Sequence, residues 1–263
     1  MVKEKRGANE SIKPKRWSYL ENGKIKEIPW GPHKLPAALE LADVSIVVEK
    51  KGQGLHYRRS GAGENVEKTI LTDQGSLLIN PVEPVHRPLE TSHHLLVEFE
   101  QAVVIEPRSS KEIMVTFPIE LACVIEERGY GKHVIDMISI TNPKFTLYGK
   151  IKDGLVCRYW KSAVYHDLPK VNPLEEGIMK IEIQNLPGQW SEVHRAVFSA
   201  HGMKIYYGPE MVSLNAVMKI TGELTAETSF DDHPLKPGMR KSVERFSTRL
   251  LSQLGRAVME EGY

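Results

Sequence analysis

A two-residue alternation of apolar and polar side chains between residues 95 and 126 constrains the fold more than any other feature. Val97 and Phe99 fall on one face of this stretch, and Glu98 and Glu100 fall on the other. This is the period of a strand with one buried face. β-Branched and aromatic residues, which suit a pleated surface, dominate the stretch. It therefore predicts a strand, a turn and two further strands.

The alternation resumes after a turn at residues 107–111, with Ile113, Val115 and Phe117 on one face. Pro118 has no backbone N–H to donate, so it predicts a strand end or edge. Similar short strands, separated by turn signals such as Asn-Gly and Asp-Gly, recur through most of the chain. We therefore predict a mainly β fold, built from two antiparallel β-sandwich-like units.

The last element is expected to differ in kind. From residue 236 onward, apolar side chains recur at spacings of three and four, at Val243, Phe246, Leu250, Leu254 and Val258. This spacing is typical of an amphipathic α-helix. The sequence therefore predicts a long C-terminal α-helix laid across one of the sandwich-like units.

These patterns divide the chain into four parts. Residues 1–16 are predicted to form a flexible basic tail, with six Lys or Arg against two acids. Residues 17–128 and 129–235 are predicted to form the first and second β-domains. Residues 236–263 are predicted to form the C-terminal helix.

The composition of the chain bears on its cellular location and on the state of its two cysteines. No run of 18 apolar residues occurs, so no transmembrane helix is indicated. The first residues lack the apolar core of a signal peptide, which favours a cytoplasmic protein. Cys123 and Cys157 both lie in apolar runs, which predicts two buried reduced thiols, with a single disulfide as the alternative. No cofactor is required by the sequence.

A metal site is one hypothesis for function. His86, His94 and Glu98 supply the two-histidine, one-carboxylate set that transition metals accept. His93 and Glu100 are alternative ligands of the same segment. The competing interpretation is an ordinary solvated strand face, because Leu96 separates His94 from Glu98. A metal-dependent enzyme built on this segment is therefore one alternative function.

Two other groups of residues are candidates for binding. Trp190, His194 and Arg195 lie close together in sequence and could contact a ligand, or could form a domain interface. Lys241, Arg245 and Arg249 form an i, i+4 stripe along the predicted helix. That stripe could contact phosphate, nucleic acid or an anionic membrane surface, or its side-chain stems could only cover the edge of the core.

The segment Glu106–Glu112, Glu-Pro-Arg-Ser-Ser-Lys-Glu, lies between two apolar strands, and Asn185–Trp190 reads Asn-Leu-Pro-Gly-Gln-Trp. Together these segments resemble an archaeal family of uncharacterised proteins. The resemblance covers most of the chain, and it implies no activity and no site residues.

The sequence contains no nucleophile elbow and no phosphate-binding loop. We therefore favour a non-enzymatic interaction or ligand-binding protein, with a homo-oligomer or a protein partner as possible assemblies.

Overall fold

The computed structural model describes residues 17–21, 24–72, 75–88, 91–127, 131–244 and 255–263, with side chains from residue 29 onward. Short strands dominate these ranges, as the alternation predicted. The strands are β1 (Trp17–Glu21), β2 (Lys24–Ile28), β3 (Gly31–His33), β4 (Ala37–Leu41), β5 (Val44–Lys51), β6 (Gly54–Ser60), β7 (Val66–Ile70), β8 (Ser76–Val82), β9 (His94–Ile105), β10 (Ser109–Pro118), β11 (Glu120–Glu127), β12 (Gly131–Ile138), β13 (Lys144–Tyr148), β14 (Leu155–Ser162), β15 (Glu176–Asn185), β16 (Ser191–Ser199), β17 (Tyr206–Tyr207), β18 (Val212–Ile220), β19 (Ala226–Asp231), β20 (Arg240–Lys241) and β21 (Ala257–Met259).

Four larger sheets follow the hairpin of β1 and β2. Sheet I has the order β4-β5-β6-β7, and sheet II has the order β12-β11-β8-β3. Sheet III has the order β13-β14-β9-β16, and sheet IV is β10-β15-β18-β17-β20, with β19 joined to β18 and β21 joined to β19. Most pairs are antiparallel, but β9 with β14 and β15 with β18 are parallel. Sheets III and IV are therefore mixed, whereas the sequence predicted antiparallel units.

The central stretch forms β9, β10 and β11, as predicted. Ile113, Val115 and Phe117 are all buried on β10, and the strand ends at Pro118. Gly177 lies opposite Phe117 in the register of β10 and β15. A Cβ atom at Gly177 would stand 2.5 Å from two ring carbons of Phe117, so the missing side chain makes room for the ring.

The sheets pack face to face through buried polar contacts as well as apolar ones. Tyr57 of sheet I donates a hydrogen bond to Asp136 of sheet II at 2.8 Å. Trp160 of sheet III donates to Thr116 of sheet IV at 2.9 Å. One continuous cluster of buried apolar side chains draws on all four sheets. The mainly β prediction is thus confirmed.

The predicted C-terminal helix is wrong. Within the described ranges there is no α-helix, only one 3-10 turn at Ala200–Gly202. β20 pairs with β17, and β21 pairs with β19. In β21, Ala257 and Met259 are buried while Val258 is 54% exposed.

This alternation is that of a strand. The helix prediction required Val258 to be buried, but in the strand Val258 lies on the exposed face. Val243 packs against Leu78, Val82, Ala122 and Val124 on the second face of sheet II. Phe246, Leu250 and Leu254 lie outside the described residues. The two described members of the apolar pattern, Val243 and Val258, thus lie in a loop segment and in a strand.

The proposed boundary at residues 128 and 129 falls between β11 and β12, which are paired neighbours in sheet II. The division into two β-domains stays a prediction. Within the described ranges we find no helix with the length and apolar composition that a bilayer crossing requires.

Candidate functional site

Asp136 is the centre of a buried polar network between sheets I and II. Its side chain is fully buried, and its Oδ2 accepts hydrogen bonds from the Tyr57 hydroxyl at 2.8 Å and from Arg59 Nε at 2.6 Å. Its Oδ1 accepts from Arg87 Nη2 at 3.3 Å and from the Met137 amide at 2.9 Å. Four donors thus converge on one carboxylate, which satisfies a charge that would otherwise be costly to bury.

The neighbours of Asp136 hold their protons tightly. Burial, together with the nearby Cys123 and Asp136, raises the pKa of Tyr57 far above its usual range. Burial likewise raises the pKa of the Cys123 thiol to about 12. Tyr57 is therefore a permanent donor to Asp136, and Cys123 stays a protonated thiol rather than a nucleophile.

Arg59 fixes the loop that follows β6. Its Nη1 donates to the carbonyl oxygens of Gly61 and Glu64, both at 2.9 Å, and its Nη2 donates to Glu64 Oε2 at 3.2 Å. Ala62 in this loop has φ of 51°, a left-handed conformation that is uncommon for a residue with a side chain. The guanidinium of Arg59 is 2% exposed and uses all its nitrogens to hold the loop and Asp136.

Arg87 is held from one side and open on the other. Its Nε donates to the Met137 carbonyl at 3.0 Å, and its Nη2 donates to Asp136. Its Nη1 lies 3.6 Å from Glu64 Oε2, which is an ion pair without a hydrogen bond. The side chain is 29% exposed. Arg87 is therefore a fixed guanidinium with one weakly engaged nitrogen at the surface.

These residues border an open cleft, which we call the arginine cleft, with a volume of about 390 Å³. The cleft combines apolar side chains with a few charged groups, as small-molecule sites do. Its lining residues are Asp43, Arg59, Ala62, Gly63, Glu64, Arg87, Pro88, Met137, Ile138, Ser139, Ile140, Asn142 and Pro143. The volume lies within the range of small-ligand sites, about 300–1,000 Å³.

A second buried acidic side chain contacts the backbone beside Arg87. Glu120 is fully buried and accepts hydrogen bonds from the backbone amides of His86 and Arg87, at 2.9 Å and 3.2 Å. Burial raises the pKa of Glu120 to about 8, against the opposing effects of those amides and of Arg158. Arg158 is 1% exposed, and its Nε and Nη1 have no hydrogen-bond partner within the described structure.

The raised pKa of Glu120 predicts a specific pH dependence. The folded protein binds a proton at Glu120 up to about pH 8, whereas the unfolded chain releases it near the ordinary value of 4.5. Stability therefore falls as pH rises between these values, by up to a few kcal/mol. Glu120→Gln should remove this component. Urea unfolding of both proteins from pH 5 to pH 8.5 checks it, and parallel stability curves would contradict it.

The predicted metal ligands are held in different environments. His86 Nε2 lies 3.1 Å from Glu83 Oε2, and both side chains are buried. The pKa of His94 is lowered by burial and by the nearby His93 and His201. Over the described ranges, no group of three or more His, Cys, Asp or Glu side chains is arranged to hold a metal ion.

Glu98, the third predicted ligand, lies near Tyr159, whose pKa is raised by burial and by this carboxylate. The structure thus does not bring His86, His94 and Glu98 together, and the metal site stays a prediction.

The predicted ligand cluster at the start of β16 is spread over both faces of the strand. Trp190 is 66% exposed, and His194 points to solvent beside Glu192, at 3.4 Å. Arg195 donates to the Glu261 carbonyl at 3.2 Å and lies over the Tyr148 ring. Arg195 therefore binds the C-terminal residues of its own chain.

The predicted anion-binding stripe is described only at Lys241. Its Nζ lies 2.6 Å from Asp232 Oδ2 and 2.7 Å from Glu244 Oε1. This ammonium group thus forms ion pairs with two carboxylates of the protein itself. Arg245 and Arg249 lie outside the described residues.

Comparison with protein families gives one match. The family described as "Protein of unknown function (DUF432)" matches residues 29–260, which is most of the chain. The chain belongs to the DUF432 family. This confirms the resemblance noted in the sequence to a family of uncharacterised proteins. No curated protein and no solved structure matches the chain.

In this DUF432 protein, sequence reasoning missed the residues of the arginine cleft. Arg59, Arg87 and Asp136 are separated by long stretches of chain and form no local motif. One available signal is the glycine-rich segment Ser60–Gly63, which by itself predicts only a flexible loop. It is in fact a loop fixed by Arg59. The other signal, Asp136 inside an apolar strand, marks a buried charge that requires partners.

Proposed function

We propose that this protein is a non-enzymatic β-protein that binds a small polar ligand in the arginine cleft. The observation that carries the proposal is Arg87, a partly exposed guanidinium that is held in place by Asp136 and the Met137 carbonyl and lines a cleft of about 390 Å³. A fixed charge binds with little further loss of side-chain entropy. Such preorganisation is what a binding site requires.

The groups around the cleft favour binding over chemistry. Cys123 carries a thiol whose pKa is raised to about 12 by burial, so it is not a nucleophile at neutral pH. Asp136 already accepts four hydrogen bonds, so it is not positioned as a general base. The arrangement thus stabilises a fixed polar surface rather than a proton-transfer site.

The proposal predicts binding that depends on the open volume of the cleft. We expect ligand-observed NMR with a library of polar metabolites to identify at least one molecule that binds the wild-type protein. Asn142 lines the cleft and is exposed. Asn142→Trp should fill the cleft and weaken binding at least tenfold, because it places a large ring where the ligand lies.

Gln101→Trp is the matched control, because Gln101 is exposed on β9 and does not line the cleft. It should leave binding unchanged, and both variants should keep the wild-type circular dichroism spectrum. Equal binding by the wild type and the Asn142→Trp variant would contradict the proposal. Absence of binding across the whole library would also contradict it.

We also propose a cytoplasmic location. Cys123 and Cys157 are both free and buried, and burial raises the pKa of each thiol to about 12. Free thiols are typical of reducing compartments. Measurement of the thiols in protein isolated under alkylating conditions tests this, and two titratable thiols after unfolding are the expected result.

We further propose that the protein self-associates through the end of sheets III and IV that carries Trp190. Trp190, Leu186, Val104 and Leu224 are between 55% and 66% exposed. Exposed apolar side chains of this size are enriched at interfaces. Light scattering after size-exclusion chromatography should give a smaller mass for Trp190→Ser than for the wild type, and a monomeric wild type would contradict the idea.

A further inference from the structure

We propose that the ligand of the arginine cleft is a zwitterion with an apolar side chain, whose acid group binds Arg87 and whose ammonium group binds the carboxylate of Asp43. This inference rests on the proposed function, because it specifies which class of small molecule the cleft accepts. It is argued from the charged and the apolar residues that line the cleft.

The acid end of the ligand is assigned by the unequal engagement of the two arginines. The guanidinium nitrogens of Arg59 all donate hydrogen bonds, to Asp136, to Glu64 and to the carbonyl of Gly61. Arg87 instead keeps Nη1 at 3.6 Å from Glu64, beyond hydrogen-bond distance. A ligand carboxylate at this nitrogen gains a charge-assisted hydrogen bond that the free protein lacks.

The ammonium end follows from the excess of negative charge. The carboxylates of Asp43 and Glu64 line the cleft, and Asp136, which is buried, accepts from Arg59 and Arg87, so three acids stand against two guanidinium groups. A purely anionic ligand would increase that imbalance. A ligand with an ammonium group beside its acid group does not, and it can place that group at Asp43, which is exposed, whereas Glu64 already accepts from Arg59.

The side chain of the ligand is assigned by the apolar residues of the lining. Ile140, Pro88 and Pro143 line the cleft together with the largely buried Met137 and Ile138. Burial of a small apolar group against such residues contributes about 25 cal/mol per Å². An α-amino acid with an aliphatic side chain combines the three features in one small molecule.

The test uses three probes that share one aliphatic body: leucine, N-acetyl-leucine and leucinamide. Isothermal titration calorimetry with the full-length protein should show binding of leucine. N-Acetyl-leucine, which lacks the ammonium group, and leucinamide, which lacks the carboxylate, should each bind at least tenfold more weakly. Each charged end therefore receives its own measurement.

Variants then assign each end to its partner. Asp43→Asn removes an exposed charge at the rim. It should lower the affinity for leucine at least fivefold and leave the affinity for N-acetyl-leucine unchanged. Asp167→Asn is the matched control, because Asp167 is exposed and does not line the cleft. It should leave the affinity for all three probes unchanged.

The outcomes separate this inference from the proposed function. If N-acetyl-leucine or leucinamide binds as tightly as leucine, the zwitterion assignment is wrong and the cleft still binds small molecules. The assignment is also wrong if none of the three probes binds, while another library molecule binds the wild type and binds the Asn142→Trp variant more weakly. If no molecule of the library binds, the proposed function itself fails.

Discussion

Replacing Asp136 with alanine is expected to lower the free energy of unfolding by about 3–5 kcal/mol, because it leaves buried positive charge without its partner. The carboxylate is the common acceptor for Tyr57, Arg59 and Arg87, and its side chain is fully buried. Two guanidinium groups and a hydroxyl would lose that acceptor at once. Urea denaturation monitored by fluorescence measures the change.

Asp136→Asn distinguishes charge from shape. It keeps the volume of the side chain but removes the negative charge that offsets Arg59 and Arg87, so most of the loss should persist. Asp167→Asn, at an exposed position, should change the free energy of unfolding by less than about 0.5 kcal/mol. If the urea midpoint of Asp136→Ala equals that of the wild type, the network does not stabilise the fold.

The second large effect is expected at Phe117. The ring is fully buried in the core, and Phe117→Ala should cost about 3–5 kcal/mol through lost burial and the cavity that remains. Gly177→Ala should also destabilise the fold, by about 1–3 kcal/mol, because its Cβ would meet the ring at 2.5 Å. Thermal and urea unfolding measure both changes.

The two substitutions should not be additive. In the Phe117→Ala background the ring is gone, so Gly177→Ala should cost little or even fill part of the cavity. Gly131→Ala serves as a comparison for glycine removal, since a Cβ there meets nothing within 4 Å, although its φ of 87° adds local strain. Equal costs of Gly177→Ala in both backgrounds would exclude the proposed contact with the ring.

The sequence predicted the strands well because their signal is local. The burial of Val97, Phe99, Ile113, Val115 and Phe117 follows from a period that a few neighbouring residues define. The C-terminal region failed for the same reason. A spacing of three and four is also a local signal, whereas Val258 lies in β21, whose conformation depends on pairing with the distant strand β19.

The candidate site could not be predicted from local patterns. Arg59 and Asp136 are 77 residues apart, and their contact depends on how sheets I and II stack. The histidines of residues 86–94 attracted attention because they are close in sequence. Proximity along the chain does not specify a common face, and His86 turns to Glu83 while His94 lies near His93 and His201.

The order in which sheet II is assembled affects how the nascent chain folds. β8 pairs with β11, but β9 and β10 lie between them in sequence and enter sheets III and IV. β3 precedes β8 and pairs with one of its edges, but a ribosome must synthesise β9 and β10 before β11 can pair with the other edge. An intervening segment of this length slows strand pairing and leaves that edge of β8 open to other chains in the meantime. We therefore expect slow, chaperone-sensitive maturation of a chain in which strands of sheets III and IV interrupt the sequence of sheet II.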